Sequence, residues 1–467
     1  MKRDEGQSLR IYDTRKRELQ SVRASDGGKI RIYCCGPTVY RDAHLGNLRT
    51  FLLADLVRRS LEQLGHEIHL IQNITDVGHL SEDFEEDKML AQSKLESRDP
   101  FSIARDYEAR FHKDCRELNI QPADQYPRAS ECIPLMIDSI SKLLEAGLAY
   151  QGEDGSIYFD ATKFPSYGAL SGNRLDALKP GHRYEFTEGG AKRFHADWAL
   201  WKAAGQRSEM IWDTPWGRGF PGWHIECSAM SLEFLSGHVD LHLGGIDLRF
   251  PHHENERAQS NALVGGEAVD CWLHGEHLLF EGRKMSKSSG NVVLVKDVVD
   301  RGFDPLAIRF CFMENRYRSQ MDLSWNSISA ANSLLRRWRE RYQEWGNEGS
   351  ERSERVELLA EEILGDFLDD LDTPKALIRL RNLEKSDWRP GEKRALFEEI
   401  DSLFGLELLE IATEDLSVEA ARMLEARAEA RRVKDFAKSD QLRDQLLSIG
   451  IEVRDTADGQ LWNKRTT

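Results

Sequence analysis

The sequence predicts an α/β chain: a parallel-sheet core carrying an insertion, then a helical bundle, then a small C-terminal α/β module. Three observations carry this. A strand–loop–helix–strand unit fills residues 30–72. A Lys/Ser-rich loop, Lys284-Met285-Ser286-Lys287-Ser288, follows more than two hundred residues later. Helical periodicity dominates beyond about residue 325.

Ile30-Arg31-Ile32-Tyr33-Cys34 is short and rich in β-formers, so it reads as a strand. Cys35-Gly36-Pro37-Thr38 breaks it. From Leu45 onward Leu48, Leu52 and Leu56 recur at helical period, and Gly65 ends the pattern. Glu67 to Gln72 alternates as a second strand. The loop of such a unit opens onto a helix N-terminus, where unpaired N–H groups and the helix dipole favour anions. His44-Leu45-Gly46-Asn47 stands there. His44 and Asn47, at i and i+3, can face one bound group. The competing reading makes His44 a helix cap and Asn47 an ordinary polar residue.

Residues 1–120 are assigned to the first half of the core. Residues 121–200 read as an insert, a helix with Met136, Ile140, Leu143 and Leu144 on one face and then a glycine-rich, turn-rich part. Residues 201–260 return to the core, with His238 to Leu243 alternating as a strand before Gly244-Gly245. Residues 261–325 form a connecting domain that carries the Lys/Ser-rich loop behind a turn at Glu281-Gly282. Residues 326–420 are helical, and Ser333 to Trp345 places Leu334, Leu335, Trp338, Tyr342 and Trp345 on one face with arginines around it. Residues 421–467 give a basic helix with Arg427, Arg431 and Arg432, then a hairpin turning at Asp458-Gly459 and carrying Trp462.

At 467 residues the chain supports several cores. Seven cysteines, odd in number and unevenly spread, argue for a reducing compartment. With no signal-like or membrane-spanning apolar run, a cytoplasmic protein without a membrane partner is expected. The formal net charge of −16 argues against indiscriminate nucleic-acid binding but leaves room for a local basic surface.

Lysines in a small-residue loop can meet nucleotide phosphates, although most Lys/Ser-rich loops are only solvated surface. The order and separation of His44-Leu45-Gly46-Asn47 and Lys284-Met285-Ser286-Lys287-Ser288 resembles the paired signature of class I aminoacyl-tRNA synthetases, with Asn47 where that family carries a second histidine. This implies a Rossmann-like catalytic domain. Three further stretches narrow the resemblance to cysteinyl-tRNA synthetases: Tyr33 to Tyr40, Gly222 to Met230, and Gly244 to Asp247 with Phe250 to Glu256. It runs almost end to end, through Asp369-Asp370-Leu371-Asp372-Thr373-Pro374 to Trp462.

The resemblance implies one zinc ion per chain on Cys35, Cys227, His252 and Glu256. Spacing alone leaves His252 and His253 open, since either reaches Glu256 from one helix face. Zinc suits the task. A shape-selective cavity separates near-isosteres by roughly a hundredfold, whereas a soft metal prefers thiolate to hydroxyl. The implied reaction forms cysteinyl-adenylate from L-cysteine and ATP–Mg²⁺, then charges tRNA(Cys). His44, Gly46, Asn47, Lys284 and Lys287 are expected at the phosphates, Gly244, Gly245 and Asp247 at the adenosine, and Thr75 and Trp223 in the cysteine pocket. Arg431, Arg432 and Trp462 are expected to meet tRNA, in a monomer. After Thr75-Asp76-Val77 the sequence departs from the family, which has an acidic pair and a lysine where this chain runs on to Asp87-Lys88. Two alternatives remain: a ligase joining cysteine to a sugar amine, and a non-catalytic, zinc-stabilised RNA-binding protein.

Overall fold

A computed structural model describes residues 7–77, 88–178, 191–285, 291–346, 352–409, 418–456 and 459–464. Its centre is a four-stranded parallel sheet in the order Val269–Gly275, Val239–Gly245, Ile30–Cys34, Ile68–Gln72. One face of the sheet is apolar, with Ile32, Leu70, Leu241 and Leu273 buried, while the other carries buried polar groups, Asp240, His242 and His274, beside Tyr33 and Trp272. From the two middle strands the chain departs in opposite directions. The helix Leu45–Gln63 leads to Ile68–Gln72 on one side, and His252–Val264 leads to Val269–Gly275 on the other. That divergence opens a crevice at the carboxyl ends of the strands, where α/β proteins bind ligands. The strand Val269–Gly275 carries the core sheet past residue 260, the boundary expected from sequence.

Between Ile68–Gln72 and Val239–Gly245 lie the helices Lys88–Glu96, Pro100–Glu117 and Ile133–Glu145 and a five-stranded antiparallel sheet. Two of its strands, Trp212–Thr214 and Gly217–Pro221, fall beyond residue 200. They are short and carry little apolar alternation, so no period marks them. A hairpin of Arg10–Asp13 and Glu18–Ser21, also unmarked by pattern, lies beside the core sheet, where Thr14 N–H donates to the Trp272 carbonyl at 2.9 Å.

The Glu281-Gly282 turn falls as expected between Leu278–Phe280 and Arg283–Lys284, with both residues at positive φ (49° and 76°), as a tight hairpin turn demands. Met321–Leu323 completes that small sheet. Four helices follow: Trp325–Glu344, Glu354–Leu368, Thr373–Lys385 and Pro390–Phe404. The first buries Leu334, Leu335, Trp338 and Tyr342, and its Arg336, Arg337 and Arg341 pair with Glu340, Glu384 and Glu344. The C-terminal helices Val418–Arg432 and Phe436–Ser448 join the hairpin Ile451–Thr456/Gly459–Lys464 around a separate small core of Ala420, Leu424, Leu446, Ile451 and Val453.

Candidate active site

The crevice has two faces. On the first, the Ile30–Cys34 strand ends in Cys35, the helix Trp223–Phe234 supplies Cys227, and the helix His252–Val264 supplies His252 and Glu256. All four side chains are buried, and their ligating atoms lie within 4.8 Å of one another. Cys35 Sγ lies 3.9 Å from Cys227 Sγ, 3.9 Å from His252 Nε2 and 3.7 Å from Glu256 Oε1, while His252 Nε2 is 2.8 Å from Glu256 Oε1. Zinc–sulfur bonds of about 2.3 Å at a tetrahedral angle separate two sulfurs by roughly 3.8 Å, so the sulfur pair already has that ion's spacing, while His252 and Glu256 would have to part slightly to share it. Glu256 Oε2 is buried without a hydrogen-bond partner. Burial pushes the Glu256 carboxyl up to about 7, against the pull of His242, and pushes the His252 imidazole down to about 3. Such a set repels isolated charge and suits a dication that several ligands share.

A second set overlaps the first. Cys35 and Glu256 also join His242 and His253, with Cys35 Sγ 3.5 Å from His242 Nε2 and 3.3 Å from His253 Nε2. Distance alone therefore does not choose between His252 and His253. Their other ring nitrogens differ. His252 Nδ1 meets His224 Nδ1 at 2.8 Å, and Trp223 stacks on the His252 ring with centroids 4.0 Å apart. His253 Nδ1 meets His274 Nε2 at 2.8 Å, and His274 Nδ1 reaches Thr14 Oγ1 at 2.8 Å. Gly244 belongs to this packing, because a Cβ there would sit 2.6 Å from the His253 ring. The close approach of the His253 ring is thus sufficient by itself to require glycine at position 244. Gly245 is half-buried and Asp247 exposed at the mouth of the crevice.

Asn73 ties the pocket together. Its Oδ1 accepts from Gly36 N–H at 2.9 Å, its Nδ2 donates to Thr75 Oγ1 at 3.1 Å, and Cys227 Sγ lies 3.9 Å from Oδ1. Gly36 must be glycine, since a Cβ would stand 1.6 Å from the Asn73 carbonyl oxygen. The structure therefore brings Cys35, Thr75, Trp223, Cys227, His252 and Glu256 to one place.

The second face is the start of the Leu45–Gln63 helix. His44 is its N-cap: His44 Nδ1 accepts from Asn47 N–H at 3.3 Å, and Asn47 Oδ1 accepts from His44 N–H at 3.2 Å. Asn47 thus serves as the other half of a capping box. Because Nδ1 accepts, Nε2 carries the proton of the neutral ring. Burial, with Arg41 nearby, holds the His44 imidazole down at about 4, so at neutral pH it is an uncharged donor. The two signature motifs meet here. A Cβ on Gly46 would lie 3.2 Å from the Met285 methyl, and Leu45 N–H donates to the Val293 carbonyl at 3.0 Å. Lys284 is exposed, while Lys287 lies outside the described residues, as do Ser286, Ser288 and the acidic run up to Asp87.

Arg49, two residues past Asn47, pins this helix to the lysine hairpin. Its guanidinium donates to the carbonyls of Glu276, His277, Arg316 and Ser319 at 2.7–3.2 Å. The Arg316–Arg318 segment in turn grips the bundle: Arg318 Nε donates to Asp370 Oδ2 at 2.8 Å, and Arg316 and Tyr317 reach Asp372 and Asp370.

The expected tRNA contacts fare unevenly. Arg427 is buried and clasps Asp455 and Gln460, a structural role that removes it from any basic surface. Arg431 pairs with Asp455 and Arg432 with Glu429, both retaining exposure. Trp462 pairs in register with Val453. Phe436, which sequence reasoning passed over, is 57 % exposed at the turn between the two C-terminal helices, close in sequence to Lys434 and Lys438. Its signal was an aromatic at the first position of a helix, outside any apolar period.

A parallel sheet, a capped helix N-terminus and a lysine hairpin held against it define the catalytic fold of class I aminoacyl-tRNA synthetases. Solved methionyl-tRNA synthetase of Mycobacterium tuberculosis bound by methionyl-adenylate shares that fold, with TM-score 0.55 at 14% identity over 88% of this chain and 96% of the other. The family model for the class I (C) tRNA synthetase catalytic domain matches residues 21–333, and that for the cysteinyl-tRNA ligase anticodon binding domain matches residues 413–462. The cysteine–tRNA ligases of Thermus thermophilus and Thermococcus onnurineus are 40% and 36% identical to the chain, covering 97% and 98% of it and 99% of each relative. Cysteine–tRNA ligase 1 of Burkholderia lata is 40% identical over 97% of this chain and 96% of its own. The chain belongs to the cysteine–tRNA ligase family.

Proposed function

We propose that this chain activates L-cysteine with ATP and transfers it to tRNA(Cys), in the cytoplasm and as a monomer. The observation that carries the reading is the buried Cys35–Cys227–His252–Glu256 cluster set in the same crevice as the His44 helix start. In the first step a cysteine carboxylate oxygen attacks the α-phosphorus, the bond to pyrophosphate breaks, and cysteinyl-adenylate forms. Mg²⁺ enters with ATP. In the second, the 2′-hydroxyl of the terminal adenosine attacks the adenylate carbonyl, loses its proton, and AMP leaves.

The residues divide the work. Backbone N–H groups at the start of Leu45–Gln63 and the His44 Nε2–H donor receive phosphate oxygens. Lys284 and Lys287 neutralise charge that grows as pyrophosphate departs. Gly245 and Asp247 face the adenosine side, and Asn47 keeps His44 in place rather than meeting phosphate. Cys35, Cys227, His252 and Glu256 would hold zinc, which when bound supplies a soft site that prefers a thiolate to serine's hydroxyl. Thr75 and Trp223, fixed by Asn73 and His252, wall the amino-acid pocket. Arg431, Arg432, Phe436 and Trp462 are the proposed tRNA contacts of the C-terminal module. That module supports tRNA over a sugar amine as acceptor, since a small acceptor needs no second core some 80 residues (from 333 to 413) beyond the catalytic domain.

The test is amino-acid-dependent ATP–pyrophosphate exchange across a panel of amino acids, then acylation of tRNA against sugar amines. Exchange with cysteine alone and charging of tRNA(Cys) are expected. Exchange with serine at comparable efficiency would sink the zinc reading, and acylation of sugar amines alone would replace tRNA as the acceptor.

A further inference from the structure

We propose that the Tyr33 hydroxyl is the outer hydrogen-bond donor to the Cys227 sulfur of the metal centre, and so sets how firmly that centre holds its ion. The inference rests on the zinc reading above.

Tyr33 precedes Cys35 by two residues on and just past the Ile30–Cys34 strand, so the two project to the same side. Its ring is fully buried and sits 5.1 Å from His242, tilted by 45°. Its hydroxyl is buried without a hydrogen bond of regular geometry, but the Cys227 thiol lies within side-chain hydrogen-bonding reach of it, and Cys35 and Glu256, two further proposed ligands, act on it electrostatically. A buried hydroxyl whose acceptor is only a neutral thiol is poorly satisfied, a cost that phenylalanine would avoid. Metal binding, which turns that thiol into a thiolate, resolves this. A thiol sulfur is a weak acceptor, whereas a metal-bound thiolate is a stronger one.

The surroundings of Cys227 show what such a thiolate lacks. Its polar neighbour Asn73 turns an oxygen toward it at 3.9 Å, which can accept but not donate. The amide cannot be reversed, because Gly36 N–H donates to that same oxygen and Asn73 Nδ2 is donated to Thr75. A donor must come from elsewhere, and the phenol stands there. The charge balance agrees. Two thiolates and one carboxylate on a dication leave the centre at −1, and a substrate thiolate takes it to −2. A donor on one ligand sulfur relieves that charge.

Tyr33→Phe removes one oxygen and keeps the ring. The full-length protein and the variant would be stripped of metal and reconstituted, zinc affinity measured by chelator competition, and the thiolate-to-cobalt absorption band recorded on Co²⁺-loaded samples. The variant is expected to bind zinc roughly 10–100-fold more weakly, in the range typical of a lost outer-shell partner, with a shifted cobalt band. Metal-free variant and metal-free parent are expected to unfold at about the same temperature, since the deleted hydroxyl has only a weak thiol acceptor in that state. Equal zinc affinity with an unchanged cobalt band would overturn the assignment and leave the zinc reading intact. A metal-free variant much less stable than its parent would show instead that the hydroxyl has a structural partner. A parent that takes up neither zinc nor cobalt would overturn both readings.

Discussion

The two faces of the crevice are built to different standards. On the cysteine side, Cys35, Cys227, His252 and Glu256 are each at most 5 % exposed and come from a strand end and two helices, with Asn73, His224, His242 and His274 filling in behind. On the phosphate side, Asn47 and Lys284 are exposed and His44 is half-buried, and what fixes them is one step removed, the capping box and Arg49. The difference follows from the two tasks. Telling a thiol from a hydroxyl depends on bond-length chemistry at a soft ion, so the ligands must be in place beforehand. Neutralising phosphate acts through Coulomb attraction, which falls only as the inverse of distance and tolerates long, exposed lysines.

The sharpest way to break this contrast is at its rigid end. Cys227→Ser replaces a soft ligand by a poor one without changing shape. Zinc content and cysteine-dependent exchange are expected to fall together, by more than the roughly 10–100-fold of an outer-shell loss, with far-UV circular dichroism preserved. Zinc retained in the variant would show the ligand set to be another, with the His242–His253 pairing the first to examine.

The soft end should respond in rate, not in recognition. Lys287→Ala is expected to slow adenylate formation on the order of a hundred- to thousandfold, the usual loss for one transition-state contact, with KM for cysteine near normal. A defect confined to KM for cysteine, with normal turnover, would erase the division between the faces.

The C-terminal module extends the comparison beyond the crevice. Phe436→Ala is expected to raise KM for tRNA by about 5- to 150-fold, corresponding to about 1–3 kcal/mol of base stacking, while exchange stays unchanged. Trp462→Ala, at the other proposed contact, is expected to raise KM for tRNA as well, and comparing the two variants shows which aromatic carries the stacking. Equal charging by Phe436→Ala and the parent would return the stacking role to Trp462 or to neither.

What the sequence revealed divides along the same line. The βαβ unit, the Glu281-Gly282 turn and the bundle helix with Trp338 followed from period and turn chemistry. The ligand set came from the resemblance, since His252 and His253 are equivalent by spacing and nearly so by distance. Arg49 and Asn73 left no mark, and Tyr33 showed only as a strand residue opening a family stretch. Arg49 binds carbonyls at positions 276–319, and Asn73 binds a backbone N–H at Gly36. Bonds from a side chain to distant backbone have no sequence period, so only the fold brings them into view. The N-terminal hairpin and the last two strands of the insert were missed because each has at most five residues, too few to show alternation.

The smallest expected effect is at Asn47, which stands in the helix-start motif where the resemblance implies a second histidine. If Asn47 met phosphate directly, its removal would cost rate in the manner of Lys287. The structure spends its side-chain oxygen on His44 N–H and its own N–H on His44 Nδ1, so its work is done within the cap. Losing half of a capping box costs about 1 kcal/mol of stability, a melting shift of a few degrees or less in a protein of this size. Asn47→Ala is therefore expected to lower thermal stability slightly and to reduce exchange by less than about fivefold, the factor that 1 kcal/mol represents. Asn47→Asp sharpens the test. It keeps the acceptor for His44 N–H, so stability should return, but it sets a negative charge beside the phosphates, so exchange should fall below that of the alanine variant. A hundredfold loss in Asn47→Ala with unchanged melting would move Asn47 from the cap to the phosphates and make the two faces of the crevice more alike than their burial indicates.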